Sequence, residues 1–162
     1  MARVSRKKQN IPATPADTPV RIWKTALYVR LSVEDNGKDS DSVENQTTLL
    51  EDYVANHPNL KKVALFVDNG YTGTDFLRPE FNRMMEAVQA EIVDCIIVKD
   101  LSRLGRNYIE TSQFIEKICP FYNLRFIAVN DSYDTATVTS EGQLSASLQN
   151  IVNDYYAKDI SR

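Results

Sequence analysis

Histidine is almost missing from this chain: 162 residues contain one, His57. With no partner histidine near any serine, the usual serine–histidine acyl-transfer machinery has no base. His57 precedes Pro58 at a predicted helix end and reads as a half-exposed capping residue. Cysteine is scarce too, with two residues, too few for a disulfide framework or a zinc cluster. Cys95 opens the Ile-Ile-Val run and Cys119 ends an amphipathic segment, so both read as buried thiols. No apolar run approaches the roughly 20 residues that cross a bilayer, and Met1–Asn10 lacks the apolar stretch of a secretory signal. Familiar nucleotide and nucleophile loops are also missing. The chain has no Gly-x-x-x-x-Gly-Lys-Ser/Thr, no Gly-x-Gly-x-x-Gly after its first strand and no Gly-x-Ser-x-Gly. Nor is there an excess of positive charge: 19 basic residues face 22 acidic ones, for a net charge of −3. A stand-alone nucleic-acid-binding domain is normally basic. Any recognition of nucleic acid therefore rests on a local cluster of cations, or on a longer protein.

What is present is the pattern of one α/β domain. The apolar fraction, 43%, supplies a core for a chain of this length. Residues 1–22 carry three prolines and a basic cluster (Arg3, Arg6, Lys7, Lys8) without periodicity, and are expected to form a disordered arm. Strand and helix periods then alternate. Thr25–Leu31, Lys62–Asp68, Asp94–Lys99 and Leu124–Asn130 read as strands, the third apolar throughout as in a parallel strand covered on both faces. Asp41 with Glu44 reads as a capping box opening a helix that runs to about Asn56. Pro79 fits the first turn of a helix with Phe81, Met84, Met85 and Val88 on one face, and Tyr108 to about Pro120 is helical. Asp131–Thr139 reads as a polar loop. Leu144, Leu148, Ile151, Val152 and Tyr155 stripe a last helix that has no stop signal before Arg162. The expected architecture is a mainly parallel sheet of four or five strands flanked by helices. Residues 23–140 form the domain, and 141–162 begin a long helix of a chain cut before further domains.

In such sheets ligands bind beyond the carboxyl ends of the strands, and the polar residues gather there. Arg30 and Ser32 follow strand one, with Tyr28, Arg30 and Ser32 on one side by strand alternation. Asp68 ends strand two, and Arg103 and Arg106, three apart, follow strand three. Individually these are cheap signals: a strand-end serine is ordinarily a cap, and most arginines are solvated or paired. Together, a hydroxyl ringed by guanidinium groups suits attack on a phosphate, whose oxygens arginine grips in pairs.

The order of motifs narrows the reading. Tyr28-Val-Arg-Leu-Ser32, Ser42-Val-Glu-Asn-Gln46, Val67-Asp-Asn-Gly-Tyr-Thr-Gly73, Arg78-Pro-Glu-Phe81 and Leu101-Ser-Arg-Leu-Gly-Arg106 follow one another in the chain. This series resembles the catalytic domain of the serine recombinases, most closely the large recombinases of mobile transposons, over residues 24–162. The resemblance implies that Ser32 attacks a DNA phosphodiester and forms a 5′-phosphoseryl link. Arg30, Arg103 and Arg106 would be the phosphate clamp, Arg78 a helper, and Gln46 and Asp68 supports. It further implies a double-stranded DNA partner, a homodimer that becomes a homotetramer on DNA, no metal or other cofactor, no membrane, and a bacterial cytoplasmic, nucleoid-associated setting. Two positions depart from the pattern. Where many small resolvases carry an aspartate before the first arginine of Arg-Leu-Gly-Arg, this chain has Ser102, with Asp100 two residues earlier. In place of a Glu-Arg pair in the last helix stands Lys158, which with Arg162 would face DNA. A non-catalytic interaction module of the same fold is the alternative, against which stands the retention of Ser32 with all four arginines. A small-molecule phosphohydrolase is a third reading, weakened by the lack of metal-ligand clusters.

Overall fold

The architecture is that of a computed structural model, in which residues 19–31, 42–69, 78–105, 108–137, 148–151, 153, 154 and 157 are described. Five strands lie in one sheet in the order β2-β1-β3-β4-β5. They are β1 (Trp23–Leu31), β2 (Leu60–Asn69), β3 (Cys95–Val98), β4 (Arg125–Ala128) and β5 (Tyr133–Asp134). The first four are mutually parallel and β5 is antiparallel to β4. Strand alternation sorts the side chains into two cores. Ala26, Tyr28, Phe66, Ile96, Val98, Phe126 and Ala128 face one side, and Leu27, Val29, Cys95, Ile97 and Ile127 face the other. All four residues of β3 are buried, as the apolar run requires of a central strand.

Helix α1 (Val43–Ala55) covers the second side through Leu50, Tyr53 and Val54. The first side is covered by α2 (Pro79–Gln89), through Met84 and Val88, and by the helical stretch that follows β3. Opposite faces follow from handedness: right-handed crossovers put the helix of a leftward step (β1 to β2) and of a rightward step (β2 to β3) on opposite sides. The order therefore reverses at the carboxyl ends of β1 and β3. There the two strands part, since their pairing ends at Leu27↔Ile97 while β1 and β2 stay paired to Leu31↔Asn69.

Several local expectations are corrected. The cap of α1 is Ser42, whose Oγ accepts from the Asn45 N–H at 3.1 Å, not Asp41 with Glu44. With Ser42 as the cap the helix begins at Val43, so Asn45, not Glu44, is the third residue of the first turn. The helix after β3 is not uniform: α3 (Tyr108–Gln113) passes into a π-helical turn, Phe114–Ile118, before α4 (Cys119–Phe121). Pro120 supplies no N–H to the helical ladder, which is consistent with the widened turn just before it. The polar loop after β4 contains β5, locked by Arg125, whose Nε and Nη2 donate to Asp134 at 3.0 and 2.6 Å. In the last helical segment Leu148 is buried and Ile151 packs on the first core; Leu144, Val152 and Tyr155 lie outside the described residues.

Candidate active site

The gap between the ends of β1 and β3 is bridged by two arginines. Arg30, on the Tyr28 side of β1, extends across it: its Nε donates to the carbonyl of Arg103 at 3.2 Å and its Nη2 to that of Ser102 at 2.6 Å. Arg103 answers, donating from Nη1 to the Arg30 carbonyl at 2.9 Å. Gln46, from α1 on the opposite side of the sheet, donates to the same carbonyl at 3.3 Å. Both arginines are buried, at 5% and 6% exposure, so neither guanidinium swings freely in solvent. Main-chain carbonyls fix the direction of each planar fork. The clasp also pins the end of β1 two residues before Ser32.

A second unit is built on Asp68 at the end of β2, opposite Arg30 in register. Its carboxylate is 1% exposed and accepts from the Tyr28 hydroxyl at 2.9 Å and from the N–H groups of Glu80 and Phe81 at 3.1 and 3.0 Å. Arg78, the residue before α2, makes no side-chain cap of its own, so Asp68 caps the helix from outside. Burial, and then the charge of Asp68, push the Tyr28 phenol well above its ordinary value, so the hydroxyl stays protonated and donates. Held at the head of α2, Arg78 donates from Nη1 to the Leu104 carbonyl and lies 5.7 Å over the Phe81 ring. It thereby reaches the same turn that carries Arg103.

That turn is a 3-10 helix, Leu101–Arg103. Asp100 precedes it, accepting from the Ser102 hydroxyl, and Asp131, just past β4, accepts from the Leu101 N–H at 2.7 Å. Of the residues expected to form the site, Arg30, Arg103, Arg78, Gln46 and Asp68 are thus brought to one end of the sheet. Ser32, Arg106, Lys158 and Arg162 lie outside the described residues. Sequence reasoning missed Asp131, read only as part of a polar loop, and the anchoring role of Tyr28. Both had a signal: each sits on or just beyond a strand whose neighbours carry the other polar groups. Cys95 and Cys119 are buried free thiols, and burial pushes the Cys95 thiol up to about 12, which keeps it unreactive.

Three arginines, two of them buried and each held by main-chain carbonyls, thus meet at this end of the sheet. Over residues 25–162 the sequence matches the family described as "Resolvase, N terminal domain". The chain belongs to the resolvase family of serine recombinases. A Bacillus subtilis (strain 168) protein named "Putative DNA recombinase" is 25% identical over 130 residues, covering 80% of this chain. The chain matches only 24% of that curated relative's length. A resolvase family site-specific recombinase from Streptococcus pneumoniae is 26% identical and superimposes with a TM-score of 0.62 over 86% of this chain and 91% of that one. The N-terminal catalytic domain of TP901-1 integrase shares the fold at 22% identity, with a TM-score of 0.65 over 86% of this chain and 99% of its own. The five-stranded, mainly parallel sheet is the resolvase fold. No helix among the described residues is long and apolar enough to cross a membrane.

Proposed function

We propose that this resolvase domain is the catalytic part of a site-specific DNA recombinase, with Ser32 as nucleophile. The Ser32 oxygen bonds to a DNA phosphorus and loses its proton, while the bond to the 3′ oxygen breaks and that oxygen leaves as a hydroxyl. The product is a 5′-phosphoseryl link. Religation is the reverse step, with a 3′ hydroxyl of the exchanged strand attacking and Ser32 leaving. The ester conserves the bond energy, so the cycle draws on no ATP.

The observation that carries this reading is the reciprocal clasp of Arg30 and Arg103, in which Arg30 precedes Ser32 by two positions in the sequence. A phosphodiester carries one negative charge and gains another in the transition state. Guanidinium groups oriented beforehand stabilise that excess without reorganising, and favour the ionised serine. Arg106 and Arg78 complete the clamp. Gln46 and Asp68 hold the strand end and the head of α2, and Lys158 and Arg162 are assigned to DNA contact. The partner is double-stranded DNA in the bacterial cytoplasm, bound by a dimer and exchanged in a tetramer; a sedimentation series with and without DNA that finds only monomers would remove this assembly.

Covalent capture tests the chemistry. Protein recovered under denaturing conditions from cells carrying the native locus should bring down DNA attached by its 5′ ends, and sequencing those ends identifies the sites. Ser32→Ala should recover none. Equal recovery from that variant overturns the reading.

A further inference from the structure

The turn that presents Arg103 is shaped by a carboxylate to which the reaction above gives no part. Asp100 immediately precedes the turn and folds back over it. Its main-chain carbonyl accepts from the Arg103 N–H at 3.1 Å, and its Oδ1 accepts from the Ser102 hydroxyl. Its Oδ2 lies 3.8 Å from Arg103 Nε, an ionic contact between two buried side chains. The opposite edge of the same guanidinium, Nη1, donates to the Arg30 carbonyl. The Arg103 fork is thus set between a negative charge on one edge and a strand end on the other. A buried charge is costly unless an opposite charge accompanies it, and the Asp100 carboxylate beside Nε supplies that charge to Arg103. Outside the pair, Asp131 ties the start of the turn to the end of β4.

We propose that Asp100 is a positioning residue of the phosphate clamp, acting through Arg103, with Ser102 as the group that locks its carboxylate. The inference rests on the recombinase reading. Two consequences distinguish it from a merely structural role. Affinity for DNA is spread over many phosphate contacts, so loss of the Asp100 charge should slow the chemical step and leave DNA binding nearly unchanged. Because Ser102 acts through Asp100, removing both should cost no more than removing Asp100 alone.

The test is single-turnover adduct formation by the full-length native protein on DNA of the recovered sites, across a range of DNA concentrations. Asp100→Asn keeps the shape and the acceptor for Ser102 but removes the charge. It should lower the maximal rate on the order of tenfold to a hundredfold, as small misplacements of catalytic groups do, with the half-saturating DNA concentration within about twofold of the unaltered protein. Ser102→Ala should give a smaller loss, and the double variant should match Asp100→Asn. An unaltered maximal rate in Asp100→Asn overturns the role, as does a loss seen only in DNA affinity, or losses that multiply in the double variant. Melting curves check that each variant folds. Should Asp100→Asn not fold, Ser102→Ala decides, and an unaltered rate in it overturns the role. Absence of adduct from the unaltered protein overturns the recombinase reading itself, and Asp100's role with it. That outcome is distinct from all of these.

Discussion

Replacing Asp68 by alanine should be among the more destabilising single changes in this domain, and its cost can be worked from three hydrogen bonds. Two of them satisfy N–H groups in the first turn of α2, at 3.1 and 3.0 Å. Losing a helix cap typically costs about 1 kcal/mol. The third holds the Tyr28 hydroxyl, on a side chain that is 0% exposed. Stranding a buried hydroxyl costs about 1–3 kcal/mol. The total for Asp68→Ala is about 3 kcal/mol, or a fall of roughly 6–12 °C in melting temperature for a domain of this size. Tyr28→Phe removes the hydroxyl without stranding it, and Asp68 keeps its two main-chain donors, so that change should cost only about 1 kcal/mol. In the double variant no hydroxyl remains to be stranded. It should therefore be about 1–2 kcal/mol more stable than the sum of the single changes predicts. Urea unfolding of the four proteins, fitted to a two-state transition, measures this cycle. Simple additivity, or a loss below about 1 kcal/mol in Asp68→Ala, would refute the view that Asp68 joins β1 to the head of α2.

Three other outcomes follow from the same geometry. Arg30→Lys keeps the charge but cannot donate from two fixed nitrogens to the carbonyls of Arg103 and Ser102; adduct formation should fall on the order of a hundredfold, measured in single turnover. The Cys95 thiol is raised from 9.0 to about 12 by burial, so the folded state holds this proton more tightly than the unfolded chain. Its share of stability is complete below pH 9 and is lost as pH rises toward about 12, and the alkaline fall in melting temperature should be shallower in Cys95→Ala. Glu91 follows α2 with φ 58°, while the Ile92 N–H bonds to the Ala87 carbonyl and the Glu91 N–H to that of Val88, a helix ending that glycine usually completes. Glu91→Gly should raise stability by about 0.5–1 kcal/mol in a urea titration, because relief of the left-handed strain exceeds the added chain entropy.

The sheet was legible because its residues carry it locally. Alternation in β1, the unbroken apolar run of β3 and the proline opening α2 each specify an element without tertiary help. The convergence of Arg30, Asp68 and Arg103 followed from placing those elements in a parallel sheet, whereas Arg78 was implied only by the family resemblance. What was not legible depends on contacts distant in sequence. Ser42, not Asp41, caps α1, a choice between two adjacent cap-competent residues that the local sequence does not decide. The π turn at Phe114–Ile118 is a backbone accommodation within a pattern that reads as an ordinary helix. Asp131 looks like any loop aspartate until β4 is set beside β3 and its carboxylate meets the Leu101 N–H. The reach of Arg30 to the far turn could not be read either, since strand alternation gives the side of the sheet but not the acceptor.

A nucleophilic Ser32 must become covalently joined to DNA, a bond that peptide mass spectrometry reads residue by residue. DNA-linked protein is digested with nuclease and then trypsin, which releases the peptide Leu31–Lys38 containing Ser32. This peptide should carry a nucleotide in phosphodiester linkage on Ser32. The same modification on another serine, threonine or tyrosine, with Leu31–Lys38 recovered only unmodified, would contradict it.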